Sequence, residues 1–112
     1  MGATFFIGYL SDKSLHTTLN RYASDALEAL VEDALQENYP KLYEIITEMI
    51  VLDQISFIEL NKQEFNEAIN VIRAYLKNIN NPTEGQIKQK YIWDNEIEPL
   101  IQQDKRYEDP NI

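Results

Sequence analysis

His16 is the one histidine in the sequence, and no cysteine accompanies it. Imidazole and thiolate chemistry therefore have little to draw on. A lone histidine between Leu15 and Thr17, with no orienting group fixed by spacing, fits a structural or surface residue better than a general base. Without cysteine there is no thiolate metal site, disulfide or thiol nucleophile. Carboxylates are plentiful, 19 Asp and Glu against 10 Lys and Arg, yet nothing in their spacing marks two of them as an acid/base pair. A carboxylate-bridged metal site in a helix bundle draws on two Glu-x-x-His motifs, and one histidine cannot supply both. Asp94-Asn95-Glu96-Ile97-Glu98 has metal-friendly side chains but lacks the glycine and terminal glutamate of a calcium loop. It reads as the polar face of a helix. Gly2, Gly8 and Gly85 stand too far apart for a phosphate loop or dinucleotide fingerprint. No catalytic residue, metal or cofactor is expected, and a carboxylate-based enzyme ranks last among the readings.

What the carboxylates offer is a field. Between Ser24 and Glu67 there are 11 acids and two bases (Lys41 and Lys62), a net of −9, while the remainder carries 8 of each sign. Glu28 and Glu32, Asp33 and Glu37, and Glu44 and Glu48 each stand four apart. On a helix such like-charge pairs cost about 0.2–0.5 kcal/mol each. Lysine at alternate positions would relieve that cost, and the sequence almost never uses it. Glu28, Glu32, Asp33, Glu37, Glu44 and Glu48 are therefore the candidate residues for a face that meets cations, joined by Tyr43. Tyrosine beside charge is common in interface hot spots, although Tyr43 also borders the apolar stripe of its own helix. The competing explanation is a solvated surface that keeps the protein soluble. Direct nucleic-acid binding is disfavoured, because phosphates need a basic patch.

The elements that must position these residues read as helical. Ser11 and Asp12 offer N-caps for a first helix carrying Leu15, Leu19 and Tyr22. Ser24 and Asp25 precede a second, with Leu27, Leu30, Val31, Ala34 and Leu35 on one stripe. Pro40 suits the first turn of a third, which places Leu42, Ile45, Ile46, Met49 and Ile50 on one side. Asn61 and Glu64 form a capping box for a fourth, bearing Phe65, Ile69, Ile72 and Leu76, with Arg73 and Lys77 toward its C-terminal end. Thr83 and Gln86 open a fifth, in which Pro99 should force a kink or restart near Glu98. Trp93 is assigned to the core. Residues 4–10 and 55–60 fit either strand or helix, and as strands they would pair with each other. The expected fold is mostly α: a compact single-domain array of about five helices, with room for a minor two-stranded β element.

A chain of 112 residues supports one domain with one modest core. Residues 1–112 are read as that domain, with the chain from Asp104 onward, and above all the tail from about 108, frayed. The N-terminus lacks the basic region of a signal peptide, and the apolar run Phe5–Leu10 is far too short to span a bilayer. A cytoplasmic protein without membrane contact is expected.

The run FIELNKQEFNEAINVIRAYL (Phe57–Leu76) and the block WDNEIEPLIQQDKRY from Trp93 resemble small immunity proteins of bacterial toxin–immunity systems. The nearest group is that of contact-dependent growth inhibition, and the resemblance covers about residues 55–107. It implies a cytoplasmic inhibitor that binds a toxin domain delivered by a neighbouring cell. Many such toxins are basic nucleases, often ribonucleases, whose active sites an acidic protein can cover. The family has no catalytic motif to transfer. The alternative from another binding class is an acidic nucleic-acid mimic or regulatory adaptor aimed at a host DNA- or RNA-binding protein.

Overall fold

The structure is a computed structural model and describes residues 2–109. It opens with a β-hairpin rather than a helix. Strand β1 (Ala3–Leu10) pairs antiparallel with β2 (Lys13–Leu19), and Ser11 takes a left-handed conformation in the two-residue turn between them, with φ 59°. The expected helix through Leu15 and Leu19 is thus overturned. A spacing of four suits one helical turn, but it is also two strand repeats and keeps both leucines on one side of a sheet. Ser and Asp serve turns as readily as N-caps. Ala3, Phe5 and Ile7 alternate inward with Leu15 and Leu19, while Thr4, Phe6, His16 and Thr18 point to the other face. Ile7 is the extra residue of a bulge between the Phe6–His16 and Gly8–Leu15 pairs. A third strand, β3 (Gln54–Ser56), joins β1 in parallel, giving the order β2-β1-β3.

Helix α1 (Arg21–Leu35) starts earlier than Ser24: Asn20 is its N-cap and accepts from the Ala23 N–H at 2.9 Å, leaving Ser24 buried inside the helix. Helix α2 (Pro40–Ile46) has its proline in the first turn as expected, but stops well short of Ile50. A 3₁₀ turn, Ile50–Leu52, then leads into β3. Helix α3 (Lys62–Lys77) carries the full Asn61/Glu64 capping box. The Thr83/Gln86 box opens the last helix, α4. It runs α-helical over Glu84–Ile92, widens into a π turn over Trp93–Ile97 and closes as α-helix over Glu98–Ile101. Pro99 has no N–H to continue the ladder. The chain answers by slipping one residue, so that the Glu98 N–H bonds the Trp93 carbonyl.

The helices cover one face of the sheet, with α1 packed against β1, β2, α2, α3 and α4. Phe5, Phe57, Phe65 and Trp93 are the largest fully buried side chains. Trp93 is therefore core, as its type suggested. The fold class is corrected: the described residues form four helices and a three-stranded mixed sheet, a two-layer α/β arrangement and not a five-helix array with a two-stranded addition.

The expectation of fraying from Asp104 also fails. Arg106 donates to the backbone carbonyls of Ile7, Phe57 and Leu60 at 2.7–2.9 Å, and pairs with both oxygens of Asp104, itself only 4% exposed. One guanidinium thus caps the ends of β1 and the segment after β3. Gly8 makes room for it, since a Cβ there would lie 1.7 Å from Asp104 Oδ2. Residues 110–112 of the expected tail lie outside the described residues.

Candidate partner-binding face

Helix α1 buries Leu27, Leu30, Val31 and Leu35, which rotates Glu28 and Glu32 onto the flank facing α2. Tyr43 of α2 comes up beside them. It is half-buried against the core, and burial first, then the negative charge of Glu32 and Glu28, pushes its phenol above the usual tyrosine range. Glu28 is itself displaced. Burial and then the neighbouring Asp25, with Asp53 behind it, raise its carboxyl above the ordinary glutamate range. Asp25, Glu28 and Asp53 line an open notch of about 360 Å³ between α1, the start of β1 and the entry to β3.

Three expected candidates, Glu28, Glu32 and Tyr43, are therefore brought together. The others are dispersed. Asp33 is one residue beyond Glu32, a rotation of about 100° about the helix axis, and so leaves that flank, while Glu37 lies past the end of α1, exposed in the turn before α2. Glu44 is exposed on the outer side of α2. Glu48 does not share a helix with Glu44, because α2 ends at Ile46 and the Thr47 hydroxyl donates back to the Tyr43 carbonyl at 2.7 Å. Glu48 instead lines a groove on the uncovered face of the sheet.

Compensation is scarce across this region. Among the described residues, Asp25 is the sole acid of the 24–67 stretch with a cation close by, Arg21 at 3.9 Å. Lys62 turns away to Glu108 at 3.8 Å. In the remainder of the chain the strong pairs are internal. Arg73 clamps Glu98 in a bidentate contact at 2.6 and 2.8 Å, and the Trp93 indole N–H donates to the same carboxylate at 2.7 Å. Arg73 was expected to serve the helix dipole and Glu98 a solvent face; together they lock α3 to α4. His16 bonds Ser14 at 2.9 Å and lies against Phe6 on the open sheet face. No group of three or more Asp, Glu or His among the described residues is arranged to hold a metal ion.

The residues that the spacing missed are apolar. Met49, Ile50, Val51 and Leu52 are all exposed, Val51 at 85%. Met49 and Ile50 had been assigned to a buried stripe. The signal was present: four consecutive residues sweep about 300° of a helix, so they cannot share one side.

Comparison with protein families, with curated proteins and with solved structures found nothing that matches this chain.

Proposed function

We propose that this protein acts by binding, as an acidic inhibitor of a basic protein, and specifically as an immunity protein that covers the active site of a cognate nuclease toxin, a ribonuclease by preference. One observation carries the reading: a net charge of −9 confined to residues 24–67 whose acids, among the described residues, form an ion pair only at Asp25. Repulsion of this kind opposes folding, and a partner that brings lysine and arginine would relieve it. The Glu28–Glu32–Tyr43 cluster is the part of that surface where charge and an aromatic ring meet. Steering by such a field speeds encounter toward about 10⁸–10⁹ M⁻¹s⁻¹ at low salt, which suits an inhibitor that must reach a nuclease before substrate does. The resemblance of residues 55–107 to immunity proteins points the same way and implies a protein of the cytoplasm, where a delivered toxin would act. No helix among the described residues is long and apolar enough to cross a membrane.

The test is co-purification with the product of the gene immediately upstream, followed by a ribonuclease and deoxyribonuclease assay of that product with and without this protein. Stoichiometric complex formation with loss of nuclease activity is expected. An upstream product that is neither bound nor inhibited would overturn the immunity reading.

A further inference from the structure

We infer that Met49–Leu52 is an apolar anchor that inserts into a pocket of a basic protein partner, with the acidic residues as its rim. The inference rests on the binding reading above for the sign of the partner's charge, and goes beyond it in placing the affinity on uncharged side chains. Exposures of 42, 38, 85 and 58% at Met49, Ile50, Val51 and Leu52 leave four successive apolar residues in water, a pattern that soluble surfaces avoid unless it is used. The segment is also held in shape. The Leu52 N–H bonds the Met49 carbonyl and the Asp53 N–H the Ile50 carbonyl, both at 2.9 Å. Asp53 then turns through a left-handed conformation, φ 57°, and its carbonyl is fixed by the Thr4 N–H at 3.0 Å. A loop tied to a sheet at one end and a helix at the other loses little freedom on binding.

The surroundings choose the occupant. Beside the anchor runs a groove of about 570 Å³ lined by Tyr9, Ile45, Met49 and Ile58, with Glu48 and Glu59 in its wall. On the other side, Asp53 opens the notch shared with Glu28. An apolar centre with a charged rim is the usual organisation of a protein interface. A second copy of this chain would bring the same carboxylates face to face, and an anionic membrane would repel them. A protein surface with an apolar pocket bordered by lysine and arginine fits both parts. Burying side chains of this size contributes more than exposed ion pairs do, so the rim should govern approach and the anchor should govern release.

The test places a photoreactive p-benzoylphenylalanine at Val51 of the full chain, with the same residue at the exposed Ile87 as control, in cells of the source organism. Crosslinked peptides are identified by mass spectrometry. Adducts at Val51 in excess of Ile87, to a basic protein at a peptide carrying apolar residues flanked by lysine or arginine, are expected. No excess over Ile87, or adducts chiefly to a second copy, an acidic protein or lipid, would overturn the inference. With the captured protein, Val51→Ser with Leu52→Ser should raise the dissociation rate at least tenfold and leave association within about twofold; an unchanged dissociation rate would also overturn it. A basic partner that is no nuclease would sink the immunity reading and leave the anchor standing. An upstream nuclease that is inhibited yet never crosslinks at Val51 would do the reverse.

Discussion

Glu28 is costly to ionise, because burial and the adjacent Asp25 and Asp53 both disfavour its charged form. Its pKa in the folded state lies above the unfolded value. The folded state is therefore penalised as pH rises from the unfolded glutamate value through the higher folded value. Glu28→Gln should stabilise the protein by about 0.2–0.5 kcal/mol at pH 7, with the gain vanishing at pH 3, where both side chains are neutral. Urea unfolding at the two pH values checks this; a loss of stability at pH 7 would show that the carboxylate is held by a favourable contact. Glu98 has the opposite sign. Burial alone would raise its carboxyl, but the hydrogen bonds from Arg73 and Trp93 outweigh burial and hold it below the ordinary range. Its stabilisation is present above the unfolded glutamate value and is lost as pH falls through the lower folded value. Glu98→Gln should cost about 2 kcal/mol at pH 7, the scale of hydrogen bonds to a charged group, and the difference from the parent should shrink in acid. Of the two carboxylates, one holds the fold together and the other burdens it, which is what a residue kept for a partner would do.

Among the elements, those built on contacts within one helical turn follow from local sequence, and those built on residues distant along the chain do not. The two capping boxes were legible, because Asn61/Glu64 and Thr83/Gln86 act within one helical turn and need no tertiary partner. The hairpin was not, since Leu15 and Leu19 satisfy both periods and only β1 across the sheet decides between them. The parallel β1–β3 pair, anticipated as a pairing of residues 4–10 with 55–60, joins residues about fifty apart in sequence, so its direction and register were not legible locally. Arg106 was invisible for the same reason: its partners, the carbonyls of Ile7, Phe57 and Leu60, are distant along the chain. Arg106→Met should destabilise by about 3–5 kcal/mol, as expected when one partner of a buried pair is removed and Asp104 is stranded. A shift of the urea midpoint measures it. A change below about 1 kcal/mol would mean that the tail does not fasten the sheet, and Gly8→Ala, which crowds the same carboxylate, should then be equally mild.

At the scale of the whole molecule, charge is partitioned. One stretch, 24–67, holds the entire excess of nine negative charges, and the rest is neutral and closed by its own pairs, Arg73–Glu98 and Arg106–Asp104. The acidic composition was legible in the sequence; its arrangement was legible only in part. Glu28, Glu32 and Tyr43 converge across α1 and α2, while Asp33, Glu37 and Glu44 spread over other surfaces and Glu48 moves to the groove beside Met49. Four successive apolar residues at 49–52 signalled some exposure, but that Met49 and Ile50 share it follows from α2 ending at Ile46. The most direct measurement is the association rate with the captured partner as a function of ionic strength, for the parent chain and for a variant with Glu28, Glu32, Glu44 and Glu48 each changed to lysine. The rate should fall steeply as salt rises from about 10 mM, where the screening length is about 30 Å, to about 150 mM, where it is about 8 Å, and the variant should be slow at every salt concentration. A rate that is indifferent to salt and unchanged in the variant would contradict the account.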